Sequence, residues 1–308
     1  MSDTTMSGSA IHQESSLERF VKSPWPFIVP ALVALVVMRA FPFVWQMWLS
    51  MTDLRLGSSG AFVGLENFRI IFSSPAFLRS LSYTALFLVA TVAGQMTLGL
   101  GLALLLDGDY RGRDVYRMLF LIPWVVSGLV IGILWQLMLL ESDTGILNAL
   151  LSRIGWEEPV RWISNPRMAQ ASVIGVYIWK GLGFSMLLMS GGLKTIPEEL
   201  IESADIDGAS RWRKLVSIKI PMMKEILSVN LIFATIASLN SYETVFVLTN
   251  GGPGGATSLI ALEMFRTAFG DGRNQLGRGS AIGVVMFLVT FIFVAIYVRY
   301  TQFGKETS

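Results

Sequence analysis

The 308-residue sequence predicts an all-α integral membrane protein with six transmembrane helices, on three observations. The chain is 53% hydrophobic and only 15% charged, whereas a soluble domain carries about a quarter charged residues. Six stretches reach the ~20 residues that cross a bilayer. The Lys and Arg residues between those stretches are distributed unevenly over alternate sides, as the positive-inside bias requires.

Residues 1–26 are polar and Ser-rich, with Glu14, Glu18, Arg19 and Lys22, and read as a loosely ordered tail. The apolar run that follows is too long for a secretory signal and lacks a cleavage site. The spans are placed at Phe27–Leu49, Tyr83–Leu106, Met118–Leu140, Ala169–Gly192, Ile226–Leu248 and Ser280–Tyr300. They form one domain over 27–300, and residues 301–308 are a second tail. One side collects Arg111, Arg113, Arg117, Lys194, Arg211, Arg213, Lys214, Lys219, Lys224 and Lys305. On the other side, fewer cations are interleaved with Asp53, Glu66, Glu141, Asp143, Glu157, Glu158 and Asp271. Both termini and the loop 193–224 are therefore expected in the cytoplasm.

Small residues pattern several spans: Gly94, Gly99 and Gly101, then Gly128 and Gly132, then Gly279 and Gly283. This spacing lets helices approach closely, and ordinary packing accounts for it. Thr249–Thr257, reading TNGGPGGAT, is a turn cluster. Leu259–Phe269 after it is expected as a short helix lying along the membrane surface.

Several function classes are excluded. There is no Cys and a single histidine, His12, so neither a disulfide framework nor a Cys/His metal site is available. A net charge of +2 gives no polyanion-binding character, and nucleic acid is not an expected partner. The chain has no GxxxxGK[ST] phosphate loop and no nucleophile–base pair, so no catalytic residue is assigned and ATP hydrolysis by this chain is not expected.

The polar residues inside spans are the informative ones, because they are costly there. They are Arg39, Lys180, Ser238, Asn240, Ser241 and Glu243. Lys180 and Glu243 both fall in the outer half of their spans, where a structural ion pair and a ligand-facing cation are equally good readings. Arg39 precedes Pro42 by one turn, which suits capping of carbonyls freed by the proline.

Glu202–Pro221, ESADIDGASRWRKLVSIKIP, is polar and basic between two apolar runs. Thr195, Pro197 and Glu198 resemble a capped helix start. Leu200, Ile201 and Ala204 then form one apolar stripe. Asp207 and Gly208 break the pattern, with Asp207 placed to cap a second helix carrying Trp212, Leu215 and Val216. Two short amphipathic helices joined by a tight turn make a feature for another protein to grip. As an alternative, Arg211, Arg213 and Lys214 form a positive-inside loop that binds lipid headgroups.

That stretch resembles the signature of the membrane subunits of bacterial ABC importers: Glu-Ala-Ala, three residues, Gly, nine residues, then Ile-x-Leu-Pro. Glu202, Ser203, Ala204, Gly208, Ile218, Ile220 and Pro221 fall in that register. Ser203 and Ile220 depart from it without changing the character of their positions. Ile122-Pro123-Trp124, Ile206-Asp207-Gly208-Ala209 and the Gly-Gly-Pro loop before Phe265–Phe269 are similar to the maltose-type, carbohydrate branch.

The resemblance implies a type I importer permease fold in the bacterial inner membrane, forming half of a pore and surrounded by membrane lipid. It further implies a second homologous permease, two ATPase subunits that hold ATP and Mg, an extracytoplasmic solute-binding protein and a sugar-like substrate. The coupling helix to the ATPase would be formed by Glu202, Ala204, Asp207, Gly208, Ala209, Ile218 and Pro221. The substrate pathway would be formed by Trp124, Gly128, Tyr177, Lys180, Gly181, Phe184, Ser238, Asn240, Ser241 and Glu243. Lys180 departs from an all-neutral sugar site and suits an anionic substrate group. The aromatics also fit plain helix packing, and the Ser and Asn residues fit helix–helix hydrogen bonding. The alternative function is a self-sufficient secondary transporter or channel, which needs coupling-ion residues near the midplane and usually repeated halves.

Overall fold

The computed structural model describes residues 25–303, apart from 109–110, 143–144, 157, 271 and 273. Of the expected tails, residues 1–24, with His12, and 304–308, with Lys305, lie outside the described residues, as do the loop charges Asp143, Glu157 and Asp271; residues 25–26 and 301–303 instead extend the first and last helices. The chain divides between Trp48 and Leu49 into two compact units. The first is essentially helix α1, Trp25–Ser50, which carries Pro30 and Pro42 in its interior.

In the second unit, short helix α2 (Glu66–Phe72) leads into α3, Pro75–Leu105, a helix of 31 residues. α3 begins well before the apolar run, because Ser74 caps it and Pro75 occupies its first turn. The long helix α7, Pro166–Leu193, is started in the same way: the Asn165 side-chain oxygen accepts from the N–H groups of Arg167 (3.0 Å) and Met168 (3.2 Å). The last helix, α13, covers Leu276–Phe303.

Two expected spans are not continuous. Met118–Leu140 is two helices, α4 (Arg113–Val125) and α5 (Gly128–Met138), bent by 101° at Val126–Ser127. Pro123 removes a backbone donor from the last turn of α4, and the Thr244 hydroxyl donates to the Gly128 carbonyl at 3.0 Å. Short helix α6, Ile146–Arg153, follows. Ile226–Leu248 is likewise α10 (Lys224–Leu239) and α11 (Glu243–Leu248). Asn240 Nδ2 donates to the Ile236 carbonyl (2.8 Å) and Ser241 Oγ to that of Ala237 (2.7 Å), so the end of α10 is satisfied from within and the helix stops. Four described helices are long and apolar enough to cross a membrane, or up to six if α4 with α5, and Arg211–Met222 with α10 (bent by 74°), each make one crossing.

α12, Ile260–Phe269, is the short helix expected there, and one face of it packs on protein. Ile260, Ala261, Leu262 and Ala268 are buried, and Ile260 packs with Phe77, Ala281 and Ile282 between α3 and α13. Its amphipathic pattern describes a face turned to protein rather than to lipid.

Close approaches use the glycines. A Cβ on Gly132 would lie 2.8 Å from Val247, and one on Gly183 would lie 2.0 Å from the Phe120 carbonyl oxygen. The core is in two parts along α7. Tyr177 belongs to an apolar cluster with Phe87, Ile131 and Leu248, and Met186 belongs to another with Ala103, Leu193 and Met223.

Candidate functional site: a polar-edged cavity and a capped loop

Between those two clusters lies a cavity of about 550 Å³. Its wall brings together Trp124, Tyr177, Lys180, Gly181, Phe184, Ser238 and Ser241, all expected from sequence, with Gln95, Ser185 and Phe233, which were not. Trp124 stacks on Phe184 with ring centroids 4.7 Å apart, and Phe184 meets Phe233 edge-on at 5.8 Å. Apolar aromatic faces with a few hydrogen-bonding groups suit a ring-shaped polar ligand.

The polar side chains are held by bonds across the bundle. Gln95 Nε2 donates to the Tyr177 carbonyl at 2.9 Å, and Gly181 is what admits it: a Cβ there would lie 2.3 Å from that amide nitrogen. Thr91 and Ser238 share a hydrogen bond at 3.2 Å, and Ser185 donates to Asn230 at the same distance. Lys180 stands near the middle of α7. Its ammonium and the Glu243 carboxylate flank Gly128, at 3.3 and 3.0 Å from the position a Cβ there would occupy. Gly128 and Glu243 thus sit behind the cavity wall beside Lys180. Asn240 is not in the lining, since its amide turns back onto its own helix.

Gln95 carried a readable signal, a lone amide within an apolar run, which is a functional candidate on the same grounds as Lys180. Ser185 and Phe233 carried none, because only the helix crossing brings them to the cavity.

The second candidate feature is the loop between α7 and α10. It holds two helices as expected, α8 (Glu198–Ile206) and α9 (Arg211–Met222), but with different caps. The Thr195 hydroxyl donates backward to the Gly192 carbonyl (2.8 Å) and Pro197 occupies the cap position. Ser210, not Asp207, caps α9, accepting from the Arg213 N–H at 3.2 Å. Asp207 closes α8 instead. The Ala209 N–H donates to the Ala204 carbonyl (2.9 Å) and the Gly208 N–H to that of Asp205 (3.0 Å). This is a Schellman cap with Gly208 at φ +69°. Lys214 bridges to Asp205 at 2.5 Å, tying the two helices together. α9 widens into a π turn over Leu215–Lys219 just ahead of Pro221, which accommodates the proline ring against the preceding turn. Glu202 and Ile206 point outward, the latter 88% exposed.

At the opposite end, the Asn250–Thr257 turn packs on α12. Arg266 donates to the Asn250 carbonyl and, at 2.8 Å, to its side-chain oxygen. In the loop 141–164, the Glu141 carboxylate accepts from the Ile163 N–H (2.7 Å), the Ser164 N–H (2.6 Å) and the Ser164 hydroxyl (2.6 Å).

A broken-span bundle with a mid-helix cavity and a capped helical loop suits a transport permease. Residues 95–302 match the family described as the binding-protein-dependent transport system inner membrane component, and the chain belongs to it. It is 35% identical over 290 residues to the trehalose/maltose transport system permease protein MalF of Thermococcus litoralis, covering 94% of this chain and 96% of that one. It is 33% identical to the sulfoquinovosyl glycerol transport system permease protein SmoG of Agrobacterium fabrum, over 88% of each chain. A chain in the crystal structure of a bacterial ABC transporter that imports the acidic polysaccharide alginate shares the fold, with a TM-score of 0.77 at 21% identity, covering 94% of this chain and 99% of that one. The chain is thus a multi-pass inner-membrane transport subunit and not itself an enzyme.

Proposed function

We infer that this permease passes a carbohydrate or an anionic carbohydrate derivative through the Trp124–Lys180–Ser238 cavity. The observation that carries the reading is a stacked aromatic wall with one ammonium group at its edge. The named substrates of the relatives, neutral in one case and sulfonated in the other, support the same class.

In this reading the α8–α9 loop seats on a cytoplasmic ATPase. Glu202 is a polar anchor, the Ala204–Ala209 cap forms the tip, and Ile218 to Pro221 lead into α10. Closure of an ATPase dimer pulls on the loop, and the loop moves α7 and α10, between which it is strung. The cavity, lined by both helices, then changes its access from one side of the membrane to the other. A second permease supplies the other half of the pore, a solute-binding protein delivers the substrate, and both termini are cytoplasmic.

The test is Lys180→Met in the reconstituted complex, with transport measured for paired neutral and anionic sugars. Loss of one charge-assisted hydrogen bond, about 1.5–3 kcal/mol, lowers anionic transport roughly 10- to 100-fold and leaves neutral sugars unchanged. Equal loss for both classes, restored by adding Glu243→Gln, contradicts a substrate contact and assigns Lys180 to a structural pair.

A further inference from the structure

We propose that a groove at the coupling-loop end of the bundle binds one anionic phospholipid, with its phosphate on Arg211 and its acyl chain along the last turns of α3. The groove has a volume of about 640 Å³ and two unlike walls. Gly101, Leu104 and Leu105 form the apolar wall, at the end of a helix apolar enough to span the bilayer. Arg211, Lys214 and Lys219 of α9 form the cationic wall. The surface therefore passes from hydrocarbon to headgroup within one cavity, as a phospholipid does.

The charges set the ligand's valence. Lys214 is paired with Asp205 and Lys219 with Asp107, the latter at 3.5 Å. Arg211 faces the groove with no carboxylate at ion-pair distance among the described residues. Among the described residues, those two carboxylates against the three lining cations leave one positive charge, which matches a monoanionic headgroup. Trp212, 72% exposed at the rim, is the amphipathic ring expected at headgroup depth.

Gly101 keeps the groove open. A Cβ there meets nothing within 4 Å, so the residue is not needed for helix packing and its missing side chain leaves the groove floor empty. A water-soluble ATPase does not suit this surface, since Gly101 to Leu105 lie within the span. Such a partner would meet the exposed tip around Gly208 instead.

The full chain, purified with its partner subunits in nanodiscs of controlled composition, is assayed for retained lipid by native mass spectrometry. Wild type is expected to retain about one phosphatidylglycerol per chain in preference to phosphatidylcholine. Arg211→Gln weakens retention about fivefold, and Gly101→Leu, which fills the groove, abolishes retention. Arg213→Gln, which lies outside the groove, leaves it unchanged. Equal retention of the two lipids, or full retention in Gly101→Leu, overturns the proposal. So does competition by inorganic phosphate at the lipid's own affinity, which marks a site for a free anion. Displacement of the lipid by the ATPase subunit also overturns it and gives the groove to the protein partner.

Discussion

Replacing Gly208 tests whether the loop's shape or only its charge engages the ATPase. Gly208 sits at φ +69°, and a Cβ added there meets nothing within 4 Å in this chain. The cost of a side chain is therefore conformational: about 1–2 kcal/mol for an ordinary residue in the left-handed region, and more for a β-branched one. Gly208→Val should unseat the two cap hydrogen bonds and lower the docking-competent loop population about 5- to 30-fold. Gly208→Asn tolerates the same φ, so it keeps the turn while adding bulk. Binding of the ATPase subunit to each variant in detergent separates the cases. The turn reading predicts loss in Val with near-normal binding in Asn. Loss in both makes Gly208 a contact position, and wild-type affinity in Val refutes the reasoning that the left-handed cap is needed.

Three further predictions concern stability and the cavity. Gly183→Ala, with its Cβ 2.0 Å from the Phe120 carbonyl oxygen, forces α4 from α7 and should cost about 1–3 kcal/mol, read as a lower melting temperature in detergent, whereas Gly101→Ala should leave it unchanged. Gln95→Leu loses one interhelical hydrogen bond, about 0.6 kcal/mol, so thermal stability should barely move while substrate-stimulated ATP hydrolysis by the complex falls; a large stability loss with normal activity would contradict its place in the pathway. Burial pushes the Glu141 carboxyl pKa up, but hydrogen bonds from Ser164 and Ile163 and the nearby Arg161 charge outweigh it and hold the pKa below the usual 4.5. A depressed folded-state pKa stabilises above the unfolded value and ceases to do so as pH falls through the folded one. The protection factors of amides around Glu141, Ile163 and Ser164, taken against the intrinsic exchange rate at each pH, should therefore fall in wild type as pH drops below about 4.5, but show no such further fall in Glu141→Gln.

The sequence made the long helices legible because a bilayer demands continuous apolar runs, and α1, α3, α7 and α13 follow that demand. It did not reveal the breaks at Val126–Ser127 and Asn240–Tyr242, since hydropathy averages over them and their cause is partly tertiary: Thr244 reaching the Gly128 carbonyl. Pro123 was a visible hint. Spacing located the α8–α9 loop and its turn at Gly208, but the caps were misassigned: Thr195 bonds backward and Ser210 takes the place given to Asp207. The burial of α12 was not legible, because an amphipathic face looks the same whether it meets lipid or protein. Of the cavity wall, the residues inside spans that looked costly were found, except Gln95. Phe233 and Ser185 depended on which helices cross.

A half-pore gripped by an ATPase through its α8–α9 loop should carry its partners with it when purified. The direct measurement is to express it with its genomic neighbours, purify through a tag on this subunit, and identify the companions. A second permease and a nucleotide-binding subunit are expected in the eluate, the latter lost in Gly208→Val. A monodisperse chain that supports substrate flux alone in vesicles would contradict the half-pore reading.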